Sequence, residues 1–341
     1  MPVASPSRKD EGGRAPVAEP SWHSRACLWL LFGTLVWGLS FPLLKVIALA
    51  QQRLVPGASS WFLASLTVCV RFAAAALALL CWCLPTLGRL TRSEIWHGLG
   101  LGVFGGIGMF LQVDGLMYTA ASTSAFLTQM TCLLIPLWVA FQHRRLPSLL
   151  VLVSVGIVLA GVTVLARFDW CQMRMGRGEA ETILATLFFT AQILWLERPC
   201  FAGNRTSHFS LVMFGVIGLM FLPVTLATTP SWPALFAAYD SGVVIGCTLV
   251  IIWCCTVVSY GLMNHWQPRV TATEAGLIYC AEPLFASVFA LFLPGWLAGP
   301  ARINYANEPL TRNLLVGGGL ITLANLLIQI PGRRNRNSEE Q

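Results

Sequence analysis

The stretch HFSLVMFGVIGLMFLPVTLAT, residues 208–228, contains no Asp, Glu, Lys or Arg. In a helix, about 20 such residues rise far enough to cross the ~30 Å hydrocarbon core of a bilayer. Runs of the same kind continue in both directions, over 26–50, 59–84, 95–119, 122–142, 147–166, 180–200, 241–266, 271–293 and 311–330. The pattern predicts an all-α integral membrane protein with about ten transmembrane helices. The connections are short and hold turn residues such as Pro56-Gly57, Pro147 and Gly203-Asn204; only 167–179 and 294–310 have any length.

Composition gives the same class. The 341 residues are 56% hydrophobic and 11% charged, against about 25% charged in soluble domains, so the chain cannot cover a water-facing surface. The cysteines stand singly or in apolar runs, such as Cys81, Cys83, Cys254 and Cys255. They form no C-x-x-C pair and no zinc spacing, and read as small hydrophobes within helices. No metal or cofactor is expected. The net charge of +7 needs no nucleic acid to explain it, because cytoplasmic loops of membrane proteins collect Lys and Arg.

Residues 1–25 are polar and rich in Pro and Gly, the composition of a disordered tail, and 331–341 form a second tail. The apolar run after residue 25 is too long for a signal-peptide core and lacks a small-x-small cleavage site. With a cytoplasmic N-terminus, fourteen basic residues, among them Arg89, Arg92, Arg198, Arg205 and Arg269, fall inside and six, among them Arg53, Arg177 and Arg302, fall outside. That asymmetry places both termini in the cytoplasm of a cell (inner or plasma) membrane protein. His23, His97, His143, His208 and His265 then all lie toward the cytoplasmic side, which argues against a histidine proton relay at mid-bilayer.

The chain also repeats. Ser124-Ala125-Phe126-Leu127, followed by Pro136, resembles Glu274-Ala275-Gly276-Leu277, followed by Pro283. Each stretch lies in the fourth span of a five-span half, 26–166 and 178–330. An odd number of spans per half inverts one half relative to the other, a plan recurrent in secondary transporters, whose sites lie at the repeat interface.

Lys45, Arg71, Asp114 and Glu282 are ionisable residues deep in spans, each costing about 2.5–3.5 kcal/mol by insertion scales. Two of each sign allow internal pairing, and Lys45 can also snorkel to the outer interface. Functional use is the alternative, Glu282 foremost because it precedes Pro283. Pro42, Pro136 and Pro283 each interrupt a span and free the carbonyl four residues earlier, at Gly38, Cys132 and Tyr279. Such carbonyls face a cavity or are buried in protein, as either a site or a packing kink. In the eighth span Trp253, Thr256, Tyr260 and Asn264 share one face at α-helical spacing. In the fourth, Ser124, Thr128 and Thr131 do, with Gln129 adjoining. A face of this kind is a cavity wall or a hydrogen-bonded helix contact. Gly98, Gly102 and Gly106 recur every fourth residue and permit close helix approach.

Several segments together resemble the EamA-type family of the drug/metabolite transporter superfamily. They are Val36-Trp37-Gly38-Leu39-Ser40-Phe41 with Lys45 beyond, Arg71-Phe72-Ala73-Ala74-Ala75, Gly115-Leu116-Met117-Tyr118-Thr119-Ala120-Ala121, and Ala281-Glu282-Pro283-Leu284-Phe285-Ala286. Two features depart from that family. Its Gly-Glu-Arg-Leu turn after the ninth helix is represented later, by Asn307-Glu308-Pro309-Leu310, after an insertion around 294–306. Gln192 is polar where the family is often apolar.

The resemblance implies two inverted five-helix repeats around a central cavity, and alternating access for a small organic metabolite or drug-like solute, commonly exported. The candidate substrate path is then Trp37, Ser40, Lys45, Asp114, Gln129, Gln192, Trp253, Tyr260, Asn264, Tyr279 and Glu282. Arg71, Pro42, Pro136 and Pro283 are structural. The partners expected are a small-molecule substrate and the lipid bilayer, with no nucleic acid; a homodimer stays open.

No Walker loop and no soluble domain for ATP are present, which favours a secondary carrier, or permease, over a pump. The rival class is a membrane-embedded enzyme acting on a lipid or peptide. It would need a catalytic cluster at depth, and no G-x-S-x-G or H-E-x-x-H occurs.

Overall fold

A computed structural model describes residues 20–142, 144, 149–165, 175–270, 275 and 278–329 of the chain. The elements are α1 (Pro20–Leu54), α2 (Ser60–Cys83), α3 (Arg92–Gly115), α4 (Ala121–Thr128), α5 (Thr131–Gln142), α6 (Leu149–Leu165), α7 (Arg177–Leu196), α8 (Thr206–Thr228), α9 (Trp232–Ala237), α10 (Gly242–Val250), α11 (Ser259–Trp266), α12 (Glu282–Ala290), α13 (Leu293–Ala301) and α14 (Arg312–Gln329). Most of the two expected tails, together with His143, Arg167, Arg174 and Glu274, lies outside the described residues. The first helix begins at Pro20, earlier than the expected end of the tail at residue 25.

Among the described residues, six helical stretches are long and apolar enough to cross a membrane: Ser24–Leu54, Ser60–Arg89, Arg92–Gly115, Arg177–Leu196, Thr206–Thr228 and Gly242–Arg269. The pair α12–α13, bent by 51°, makes a seventh if it counts as one span. Ala121–Ile135, Leu149–Val164 and Arg312–Ala324 are shorter apolar helices. Large apolar side chains such as Leu77, Leu149, Leu219 and Leu323 are exposed along the bundle, as a lipid-facing surface requires.

The helices lie against one another according to their small residues. Gly98, Gly102 and Gly106 face α8. A Cβ on Gly98 would lie 2.5 Å from both Phe209 O and Val212 Cβ, and one on Gly102 would lie 2.7 Å from Val216 Cβ. The adjacent face of α3 meets α7, where a Cβ on Gly105 would lie 2.5 Å from Gln192 Nε2. Small residues thus bring three backbones together where lipid supplies no hydrophobic drive. At its start, α3 is closed by a capping box: Thr91 Oγ1 accepts from Glu94 N–H at 3.2 Å, and Glu94 Oε2 accepts from Thr91 N–H at 2.8 Å. Glu94 also accepts from Arg205 at the head of α8, at 2.8 Å from its Nε, and lies 3.2 Å from His208 Nδ1. That bond holds the Arg205 guanidinium above its ordinary range.

Three breaks differ from the sequence expectation. The fourth span breaks at Gln129–Met130, between α4 and α5, and Pro136 falls within α5 rather than at the break. The ninth span breaks at Cys280–Ala281, and Pro283 sits past that break in the first turn of α12, where its missing N–H would have had no helical partner. Pro42 lies inside α1, which continues through it.

A further difference concerns the eighth span. Between α10 and α11 the backbone is a π-helix, Ile251–Val258, in which Thr256 Oγ1 and Ser259 Oγ bond back five residues, to Ile251 O at 2.9 Å and Cys254 O at 3.0 Å. Each residue of a π-turn advances less far around the axis than in an α-helix, so the face expected for Trp253, Thr256, Tyr260 and Asn264 is split. Trp253 is 53% exposed, whereas Tyr260 is 5% and Asn264 2% exposed. Arg71, itself 2% exposed, holds this segment: its Nε donates to Thr256 Oγ1 at 2.6 Å and its Nη2 to Cys255 O at 3.2 Å.

The insertion near 294–306 forms α13 and then returns. Glu308 N–H donates to Ala290 O at 2.9 Å, and Asn307 Oδ1 accepts from Gly295 N–H at 2.7 Å. Glu308 is therefore delivered to the end of α12 despite its distance along the chain.

Candidate functional site

The residue types that matter converge where α1, α11 and the two broken helices meet. On α1, Gly38 allows the approach. A Cβ there would lie 2.8 Å from Phe285 Cβ and 2.9 Å from Ala286 N on α12. One position earlier, the Trp37 ring lies 5.3 Å from Tyr260 of α11, edge to face, and 6.0 Å from Tyr279, just before the turn that precedes α12. Phe72 and Phe214 complete the wall behind Tyr260 at 6.2 and 5.9 Å. Aromatic pairs at this separation contribute about 0.5–1.5 kcal/mol beyond burial, which holds the cluster rigid.

The polar groups of the cluster sit at the helix breaks. Gln129, the residue that ends α4, donates from Nε2 to Glu282 Oε2 at 2.9 Å, and Glu282 opens α12. A carboxylate at a helix start is favoured by the exposed N–H groups and the helix dipole. Tyr279 donates its hydroxyl to Gln267 Oε1 at 2.9 Å, and Gln267 Nε2 donates to Glu197 Oε1 at 2.9 Å. Ser40 is buried on α1, one turn beyond Trp37. The result is an apolar, aromatic wall with a few fixed donors and acceptors, the makeup of a small-molecule site.

Other expected residues lie elsewhere. Lys45 and Asp114 belong to a polar network at the far end of α7, where that helix starts. Lys45 donates to the carbonyl of Thr119 at 2.7 Å and to that of Leu116. Asp114 is bound by Arg177, which also reaches Glu181 at 2.7 Å and lies 4.4 Å over the Tyr118 ring. Thr119 Oγ1 donates to Glu179 at 2.6 Å. Glu308 caps α4, accepting from Ala121 N–H at 2.7 Å, Ser122 N–H at 3.2 Å and Ser122 Oγ–H at 2.6 Å. Burial and the Glu308 carboxylate push the Tyr305 hydroxyl above its ordinary range, so it remains a donor to Glu308 at 3.1 Å.

Of the alternatives open for the four deep charges, pairing with one another is not seen. Among the described residues Arg71 has no carboxylate partner, Asp114 pairs with Arg177, and Glu282 receives an amide. Gln192 is wedged between α3 and α8, 3.8 Å from Met213 Sδ, and serves packing. Ser124 lies 3.3 Å from Thr182 of α7, and Thr128 accepts from Gln112 at 3.0 Å, so the fourth-span stripe is a helix contact. Asn264 donates to Ser210 Oγ at 2.8 Å. Gln267, Glu197, Arg177 and Glu308 were not singled out as site residues by the sequence. Their one signal was position, as polar residues flanking apolar runs, and many others share it.

No known family profile matches the chain. A protein of Archaeoglobus fulgidus described as an uncharacterized transporter is 25% identical over 299 residues, covering 86% of this chain and 85% of its own length. A solved crystal structure superposes with a TM-score of 0.57 at 19% identity, over 92% of this chain and 99% of the other, and so shares its fold. The chain is thus a multi-pass helical membrane protein with a distant relative named as a transporter.

Proposed function

We propose that this protein is a secondary carrier of a small organic solute, built as ten spans in two inverted halves, with its substrate site at the crossing of the two broken helices. The observation that carries this reading is the Gln129–Glu282 bond of 2.9 Å, made across the breaks of the fourth and ninth spans. Transporters place sites where discontinuous helices from two repeats meet, and an ionisable group at depth is a functional candidate by default. The pattern of neighbours supports the inverted arrangement. Helices α2 and α8, α6 and α14, and α4 and α12 are in contact, and each pair joins elements at the same place in the two halves. Likewise α3 lies on α7 as α1 lies on the α10–α11 unit.

The resemblance to EamA-type transporters agrees with this reading and adds alternating access and export. The polar groups of the cluster make amide and hydroxyl contacts, Gln129 to Glu282 and Tyr279 to Gln267. A carrier uses such contacts; a hydrolase would need an activated nucleophile beside its base. The test is flux in proteoliposomes over a panel of amino acids, nucleosides, amines and organic acids. Saturable movement with counterflow and no chemical change is the expected result. Turnover of lipid or peptide without flux would establish the enzyme instead.

A further inference from the structure

The end of α3 and the start of α7 meet backbone to backbone. A Cβ on Gly115 would lie 2.9 Å from Gly178 O, and one on Gly178 would lie 2.6 Å from Gly115 O. Two acids are carried into that contact. Asp114 immediately precedes Gly115, and Glu181 stands three residues after Gly178, its Cβ 3.4 Å from where a Gly115 Cβ would be. Their carboxyl groups lie within hydrogen-bond reach of each other.

A single guanidinium serves both. Arg177 donates from Nη2 to Asp114 Oδ2 and from Nε to Glu181 Oε1, the latter at 2.7 Å. Its Nη1 donates to the Tyr118 hydroxyl at 2.9 Å, and its Nη2 also reaches Ser60 Oγ at 3.3 Å. The second oxygen of each acid, Asp114 Oδ1 and Glu181 Oε2, is buried and has no hydrogen-bond partner. The Asp114 side chain is 1% exposed, whereas that of Arg177 is 46% exposed.

Charge does not balance in this group. Two ionised carboxyls would bring two negative charges, and Arg177 supplies one positive. The surrounding elements add no second cation to the pair. On α1, Lys45 is turned to the carbonyls of Leu116 and Thr119, with Glu308 and Glu179 as its acidic neighbours. Glu179 accepts from Thr119, and Glu308 caps α4. Tyr118 and Ser60 bring only hydroxyls. Like charges in contact at a buried site oppose full ionisation. An ionised carboxyl is an acceptor only, so two of them cannot bond to each other; one added proton makes one of them a donor. A hard metal cation would call for about six oxygens, whereas two unmet oxygens with no space between them suit a proton.

We propose that Asp114 and Glu181 hold one proton between them, and that this proton fastens the start of α7 to the end of α3. The O–H bond forms on one carboxyl oxygen, with a proton drawn from water at the exposed side of Arg177, and donates to the other acid. Release by the same route leaves two carboxylates that push the helices apart. The proton site stands apart from the carrier reading; its use as a lock opened during transport rests on that reading.

The test is infrared difference spectroscopy of the full-length, detergent-purified protein at neutral pH, against Glu181→Gln and Asp114→Asn. In either variant the remaining acid faces Arg177 alone and ionises. Each variant is therefore expected to lose one protonated-carboxyl C=O stretch and to keep the carboxylate bands. Loss of a carboxylate band with no change in the protonated region overturns the proposal. One folded variant suffices, and a parent spectrum with no protonated carboxyl stretch overturns it with neither. The fastening has its own readout. Free carboxyls ionise near about pH 4, so above that a proton held only by the folded chain adds stability that is lost as pH rises. In Glu181→Gln an amide N–H stands permanently in the proton's place. The parent's thermal midpoint should accordingly fall relative to this variant's as pH is raised from mild acid through neutrality, and parallel curves would refute the fastening. Saturable flux without the protonated stretch sinks this site and leaves the carrier standing. The stretch with no saturable flux of any solute does the reverse.

Discussion

Glu282 opens α12 beside Pro283 and is met by Gln129 from the other broken helix. At this position a carboxylate gains from the helix start and from one amide donor, and both gains are local and geometric. Glu282→Gln keeps the shape and removes the ionisation. The expected outcome is a chain that folds with an unchanged thermal midpoint and transports about tenfold more slowly, a loss of about 1.4 kcal/mol in the rate-limiting step. Parent-like flux across the pH range would show that the charge has no role. The other deep charges ask for different roles. Arg71 braces the π-helix through Thr256 and Cys255, and Lys45 ties α1 to the carbonyls that follow α3. The sequence marked all three as unusual because charge in an apolar run is visible in one dimension. Their partners were hidden, since Arg71 and Thr256 are 185 residues apart.

At the scale of elements, spans and glycine faces were legible, and helix breaks were not. The Gly98-Gly102-Gly106 spacing pointed to a close contact, which proves to be with α8. Gly98→Ala should therefore lower the thermal midpoint in detergent, because the new methyl meets backbone at Phe209 and forces a shift costing about 1–3 kcal/mol. Gly215→Ala on α8 is the matched control, having nothing within 4 Å of its Cβ. It should leave stability unchanged or raise it by up to about 1 kcal/mol through helix propensity. Equal losses at both positions would contradict the packing described. Proline misled in the other direction. A Pro removes one donor and does not say whether the helix bends, breaks or begins there, and the three here do different things. The π-helix was not legible in the sequence, and its partner Arg71 lies 185 residues from Thr256 along the chain. The expected stripe through Trp253 failed for that reason.

For the whole molecule, the two ends of the bundle differ. Where α7 starts, Lys45, Asp114, Arg177, Glu179 and Glu308 close the structure with ion pairs and caps, whereas a cavity lies where α7 finishes. The orientation proposed from the basic-residue asymmetry would put that cavity on the cytoplasmic side. A reporter active only in the cytoplasm, fused after Gln341, should accordingly be active, and silence there with activity of a reporter that works only outside would invert the assignment. The count of spans was the least legible property at this scale. Apolar runs show where a chain can cross, while α4–α5 and α12–α13 are broken in ways only packing reveals. The central claim, a site at the helix crossing that is open to each side in turn, is tested most directly by a single cysteine at Tyr279. The background is a chain stripped of its own cysteines, in sealed vesicles of known orientation. A membrane-impermeant thiol reagent should label that position when added from either side, and a solute that is transported should slow both reactions. Labelling from one side only, under every condition that supports flux, would contradict alternating access at this site.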